Sequence, residues 1–222
     1  MKVICVIPAY NEAERLGPVL AGVAPRVDSV VVVDDGSSDR TAEIAAAAGV
    51  KCLIHPINRG QGAALKTGTI YALKQGAGVI VHFDADGQFR AEEIKKMIEP
   101  ILAGRVQVVL GSRFLDRSNS GGIPRFKSRV IIPLARLFNR FFLGVKLTDP
   151  QSGFRALSAA ATEKLDWRQD GMAHCSEILS LLARSGLPFE EVPITVVYHR
   201  FGQRLGGGIK IIRDLFIARL IN

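Results

Sequence analysis

Over residues 2–111, short β-branched apolar runs alternate with segments of helical period, and that alternation leaves few folds open. Residues 2–7, Ser29–Val33, Val50–His55, Val79–Phe83 and Val106–Leu110 read as strands. Helices are expected from just past Glu12 to Ala24, over Thr41–Ala48, Ala63–Gln75 and Ala91–Leu102, with Asp39 as N-cap of the second and Gly49 stopping it. Strands and helices in turn predict an α/β domain whose mostly parallel sheet is covered on both faces. Right-handed crossovers put every strand C-terminus on one edge, where open α/β sheets bind ligands. Pro8–Glu12, Asp34–Ser38, Asp84–Gln88 and Gly111–Phe114 would meet there.

The central run ends at two carboxylates two positions apart, Asp84 and Asp86. Two hard oxygen donors at an open sheet edge suit a divalent cation that also holds phosphate oxygens, and Gln88 would add a ligand or a water-mediated contact. Such a pair alone also fits a solvated acidic turn. The neighbouring strand ends tip the reading toward the metal. Asp34-Asp35-Gly36-Ser37-Ser38-Asp39 presents acid rather than bare amides, so it suits the N–H groups of a base or the hydroxyls of a ribose. The plainer alternative is that Asp35 and Ser37 only shape the turn.

Past Phe114 the texture changes. Residues 116–124 are polar and glycine-rich, and 126–143 has helical period with a break at Pro133. Arg113, Arg117, Arg125, Lys127, Arg129, Arg136, Arg140 and Lys146 crowd this region with only Asp116 opposing, in a chain of net charge +8. Apolar residues alternating with these bases describe a helix that lies in a membrane interface, or one that packs on the domain or on a second copy. Helices are expected at Ser158–Leu165 and Cys175–Ser185, a strand over Phe189–Tyr198, and a last amphipathic helix to Leu220.

No window reaches the about 18 apolar residues of a membrane span. Any membrane contact is therefore expected to be peripheral. Cys5, Cys52 and Cys175 lack ligand spacing and read as reduced thiols of a cytoplasmic protein, with Cys5 in the core. His82 reads as a hydrogen-bonded residue of the core or of the layer behind the site. Glu177 reads as a favourable charge at a helix start. Charge alone suggests nucleic acid, but no aromatic platform or recognition motif accompanies it.

Ile7-Pro8-Ala9-Tyr10-Asn11-Glu12, Asp34–Asp39, Asn58-Arg59-Gly60-Gln61-Gly62, Asp84-Ala85-Asp86-Gly87-Gln88, Gly111-Ser112-Arg113-Phe114 and Asp149-Pro150-Gln151-Ser152-Gly153-Phe154-Arg155 follow one another in this order. Together, over residues 2–200, they resemble the family 2 glycosyltransferases, in the branch of dolichol-phosphate mannosyltransferases and polyprenyl-phosphate glycosyltransferases. The resemblance implies a GT-A-like three-layer sandwich with C-terminal amphipathic helices. It implies one domain over 1–222, with a nucleotide-sugar-binding half (1–111) and an acceptor-side half (112–222). It also implies a GDP-mannose or UDP-glucose type donor, Mg2+ or Mn2+, and inverting transfer to a polyprenyl or dolichyl phosphate at the cytoplasmic membrane face.

Carried over by position, Pro8, Tyr10, Glu12 and Asp35 contact base and ribose. Asp84 and Ala85 lie on the sugar or ribose side, and Asp84, Asp86 and Gln88 hold the metal. Arg113 faces the phosphates where donor and acceptor meet. Arg125, Lys127 and Arg129 join it as candidates to seat the acceptor phosphate. Arg200 or Arg204 closes over the donor. A phosphate acceptor is already anionic and needs cations rather than a strong base. If the acceptor is a soluble hydroxyl, Asp149 is the candidate base; otherwise it orders the Ser152–Arg155 turn. A sugar-nucleotide binder without catalysis is the reading from a different class, and an oligomer is left open.

Overall fold

The structure is a computed structural model and describes residues 1–115 and 147–197. In chain order its strands are β1 (Val3–Ala9), β2 (Ser29–Asp34), β3 (Lys51–Ile54), β4 (Val79–His82), β5 (Val108–Ser112), β6 (Arg155–Ser158) and β7 (Phe189–Pro193). The α-helices are α1 (Ala13–Val23), α2 (Thr41–Ala47), α3 (Gln61–Lys74), α4 (Ile94–Leu102), α5 (Ala159–Lys164) and α6 (His174–Ser185). The seven strands form one sheet in the order β3-β2-β1-β4-β6-β5-β7. β6 runs antiparallel to β4 and β5, and the remaining pairings are parallel.

Every residue of β1 is buried, as is every residue of β2 after Ser29, because helices cover both faces of the sheet. One face carries Val3, Cys5, Ile7, Val32 and Val81 against Leu16, Leu20 and Val23 of α1 and Ile94, Met97 and Ile101 of α4. The other carries Ile4, Val6, Val31, Val33 and Ile80 against Ala64, Leu65 and Ala72 of α3, Trp167, and Ile178 of α6. Leu110 and Leu157 continue that layer onto α5 and α6. This is the expected three-layer, mostly parallel α/β sandwich.

Three local expectations are corrected. The N-cap position of α2 is Arg40 rather than Asp39. The Asp39 carboxylate instead accepts from Ala13 N–H of α1 at 3.1 Å and from Thr41 N–H at 3.0 Å, which joins two helix starts. The strand begun at Phe189 ends at Pro193 rather than Tyr198, although Ile194 N–H still donates to Ser112 O at 2.9 Å. Val196 then forms a bridge with Phe89 across the mouth of the sheet. β6 is a strand where the sequence suggests only the end of the Ser152–Arg155 turn and a helix start at Ser158: its four residues are too few to show a period, and its partners lie far away in sequence. The basic helix at 126–143, the bases Arg125, Lys127, Arg129, Arg200 and Arg204, and the last amphipathic helix lie outside the described residues. Among the described residues no helix is long and apolar enough to cross a membrane.

Candidate active site

The parallel strands all end on one edge, and β6, being antiparallel, begins there. A cavity of about 530 Å³ opens at that edge. Pro8, Tyr10, Glu12, Asp35, Asp84, Ala85, Asp86, Gln88 and Arg113 all line it. The fold thus gathers residues from four strand ends that the sequence assigned to one site.

The loops after β1 and β2 are stitched together. Asn11 adopts a left-handed φ of 55°, which asparagine tolerates. Its N–H donates to Ser37 Oγ and its Oδ1 accepts from Ser38 N–H, both at 2.9 Å. Glu12 N–H donates to Thr41 Oγ1 at 2.9 Å. Tyr10 is thereby held half exposed on the rim, 49% accessible. Asp35 is buried in the wall. Its carboxylate accepts from Arg59 N–H at 3.0 Å and Gly60 N–H at 2.6 Å and meets His55 Nδ1 at 2.7 Å. It therefore shapes the Asn58–Gly62 turn while presenting an edge to the cavity.

Asp84 is held differently. Its Oδ1 accepts from Gln61 Nε2 at 2.9 Å. Burial first, then the Asp86 carboxylate and Cys175, push its carboxyl up to about 7 against the pull of Arg155 and His174. A Cβ on Gly153 would sit 2.7 Å from Asp84 Oδ2, so a larger residue in this turn would displace the carboxylate. Asp86 Oδ1 accepts from Gln88 N–H at 3.0 Å, which fixes the start of the following turn. Among the described residues no group of three or more His, Cys, Asp or Glu side chains gathers as a metal cluster. Two crowded carboxylates beside a cavity fit a cation that completes its shell from substrate phosphates and water, as Mg2+ does.

Arg113 is placed by a relay of hydrogen bonds. Glu191 of β7 accepts from Thr148 N–H at 2.9 Å and from Asp149 N–H at 3.1 Å. The buried Asp149 carboxylate then takes Arg113 Nε at 2.6 Å and Nη2 at 2.7 Å in a two-pronged pair. That fork fixes the guanidinium plane at the cavity wall.

Several lining residues had no role in the sequence reading. Asn58, Gly60 and Gln61 belong to a quoted stretch, as do Gln151, Ser152 and Gly153. Phe89, Met172, Cys175 and Val196 gave no signal beyond their chemistry. Met172 and Cys175 arrive because segment 166–171 is pinned to the start of α3. Trp167 Nε1 donates to Gly62 O at 3.0 Å, Ala63 N–H to Asp170 O at 3.1 Å, and Lys66 Nζ to Asp166 Oδ1 at 2.7 Å. Gly60, at φ 108°, makes room there, since a Cβ on it would lie 2.4 Å from Asp170 O. Glu177 does more than favour a helix start: its carboxylate accepts from Arg168 and Gln169 N–H at 2.9 and 2.8 Å.

Behind the cavity, Arg155 faces His82 across the β6–β4 pair. His82 Nε2 lies 2.9 Å from Thr69 Oγ1, in keeping with its reading as a hydrogen-bonded core residue. Burial, then Arg155 and His174, bring its imidazole down to about 3, so it is neutral.

A model of Glycosyl transferase family 2 matches residues 4–166. The chain is 32% identical to a UDP-N-acetylglucosamine–dolichyl-phosphate N-acetylglucosaminyltransferase of Methanococcus voltae, over 97% of this chain and 94% of that protein. It is 32% identical to the polyprenol monophosphomannose synthase of Mycolicibacterium smegmatis, over 97% and 84% of the two chains. An undecaprenyl-phosphate mannosyltransferase of Micrococcus luteus is 33% identical over 94% of this chain and 89% of its own. In fold the chain is similar to glucosyl-3-phosphoglycerate synthase from Mycobacterium tuberculosis, solved with Mn2+, uridine diphosphate and glucosyl-3-phosphoglycerate. That likeness has a TM-score of 0.74 at 23% identity and covers 97% of this chain and 77% of that one. Matched across most of its length by the family model, with the acidic strand ends meeting in one cavity, the chain belongs to glycosyl transferase family 2 and has the GT-A fold.

Proposed function

We propose that this glycosyltransferase moves a sugar, with inversion, from a nucleotide sugar to a polyprenyl phosphate at a membrane surface. The observation that carries the reading is the cavity itself, in which the Asp84–Asp86 pair shares a wall with the fork-held Arg113. The names of the relatives in Methanococcus voltae, Mycolicibacterium smegmatis and Micrococcus luteus support the lipid-phosphate acceptor.

Pro8, Tyr10 and Glu12 contact the base and ribose in this reading, with Asp35 accepting from base or ribose donors. Asp84, Asp86 and Gln88 hold Mg2+ or Mn2+, which when bound neutralises charge on the donor diphosphate. Arg113 offers a fixed positive charge to the leaving phosphate. Asp149 is committed to Arg113, so it serves as a positioning group and not as a general base. That commitment weighs against a hydroxyl acceptor. Arg125, Lys127 and Arg129 seat the acceptor phosphate, and Arg200 or Arg204 closes over the donor. The halves 1–111 and 112–222 then divide donor and acceptor work within one domain. Membrane association is peripheral, through the basic amphipathic segment.

The test is nucleoside diphosphate release from GDP- and UDP-sugars, with Mg2+ or Mn2+, in the presence and absence of a polyprenyl phosphate. Release that requires both metal and lipid phosphate is the expected result. Equal release onto a soluble hydroxyl acceptor, or release unchanged by chelator, overturns the assignment.

A further inference from the structure

Cys175 differs from the other two cysteines in what surrounds it. It lies in the first turn of α6, where backbone N–H groups favour negative charge, and it lines the cavity. Its Sγ is 3.4 Å from His174 Nε2. Arg155 is 1% exposed, and among the described residues its Nε, Nη1 and Nη2 have no hydrogen-bond partner. A buried guanidinium in that state calls for an anion. Two acidic groups feel its charge: Asp84, which also accepts from Gln61, and Cys175.

We propose that Cys175 is a reactive thiolate in the cavity wall, set against Arg155 and His174, and a site of covalent modification by small electrophiles that enter the cavity. Burial alone would raise this thiol, but the Arg155 charge and the His174 contact outweigh it and bring it down to about 6. The same burial, without such partners, pushes Cys5 far up. Burial and the Asp34 charge raise Cys52. Thiolate fraction governs reactivity, so the three cysteines rank by environment rather than by exposure. With iodoacetamide the sulfur lone pair attacks the CH2 carbon, a C–S bond forms, the C–I bond breaks and iodide leaves with the electron pair. The thiolate has no proton to lose. The adduct then occupies cavity space, and a resulting block of donor binding rests on the donor reading proposed above.

The experiment is a time course of the whole protein with limiting iodoacetamide at pH 7, read by peptide mass spectrometry at all three cysteines. Cys175 is expected to be carbamidomethylated at least tenfold faster than the more accessible Cys52, with Cys5 slowest. Labelling of Cys52 as fast as Cys175 overturns the proposal. In concentrated guanidinium chloride the three rates converge; a Cys175 that stays faster when unfolded shows that the fold is not the cause and also overturns it. A nucleotide sugar with Mn2+ is expected to slow labelling of Cys175. Fast labelling that no nucleotide sugar slows leaves the thiolate established and overturns the assignment of the cavity to the donor.

Discussion

Asp34-Asp35 at the end of β2 and Asp84-Ala85-Asp86 at the end of β4 look alike in sequence, yet the fold treats them in opposite ways. Asp35 sits in a ring of donors: two backbone N–H groups and the His55 ring. Asp84 receives one side-chain amide and faces a second carboxylate, which together with burial drives its carboxyl up to about 7. One acidic end is thus stabilised by the protein's own donors and shapes a turn. The other keeps two carboxylates close to each other, and on the function proposed above a divalent cation relieves their charge. On that reading an acidic strand end serves a metal only where the fold withholds donors from it.

The largest expected effect comes from Asp86→Ala, which removes one half of the crowded pair. Metal-dependent nucleoside diphosphate release should fall on the order of 10³-fold with thermal stability kept. A similar loss of kcat from Asp35→Ala would break the contrast between the two ends. Gly153→Ala ranks second. Its new methyl would press on Asp84 Oδ2, and a misplaced carboxylate should lower kcat by about 10²-fold while leaving Tm nearly unchanged.

Asp35→Ala acts mainly on stability. It strands the Arg59 and Gly60 N–H groups and His55, which should cost about 3 kcal/mol, seen in chemical denaturation, together with a raised KM for the donor. Asp35→Asn should recover little of that stability, because its NH2 would face either the Arg59 or the Gly60 N–H; full recovery would break the view that both oxygens are needed as acceptors.

The smallest effect is in pH. The folded-state carboxyl of Asp84 lies above its ordinary value of 3.8, so the folded protein keeps a proton that the unfolded chain has already lost. Its stabilising contribution is complete below that ordinary value and is lost as pH rises toward about 7. A cation binds the ionised form, so the gain in Tm from Mn2+ should be larger at pH 8 than at pH 6, by about 2–4 °C. Equal gains at both pH values would mean that Asp84 does not hold the cation.

The parallel half was legible because its signals are local. Val30–Val33 announces a strand buried on both faces, and α4 carries its apolar face at Ile94, Met97, Ile98 and Ile101. The carboxylates at strand ends were readable for the same reason, since strand direction and crossover hand fix where they go. The fork between Asp149 and Arg113 was not readable. It joins residues far apart in sequence, and its geometry depends on Glu191 arriving from β7.

Residue order by itself determined the alternation of elements, the common edge at which four strand ends meet, and membership of the family whose motifs lie along that edge. Burial of short apolar runs and right-handed crossovers suffice for this, and both act over a few tens of residues. Only the tertiary structure decided that β6 enters the sheet antiparallel, that Met172 and the first turn of α6 with Cys175 close one wall, and that Asp35 is given three donors while Asp84 is given one. Those outcomes rest on contacts across the chain, where hydrogen-bond partners and desolvation are set by what else occupies the same space.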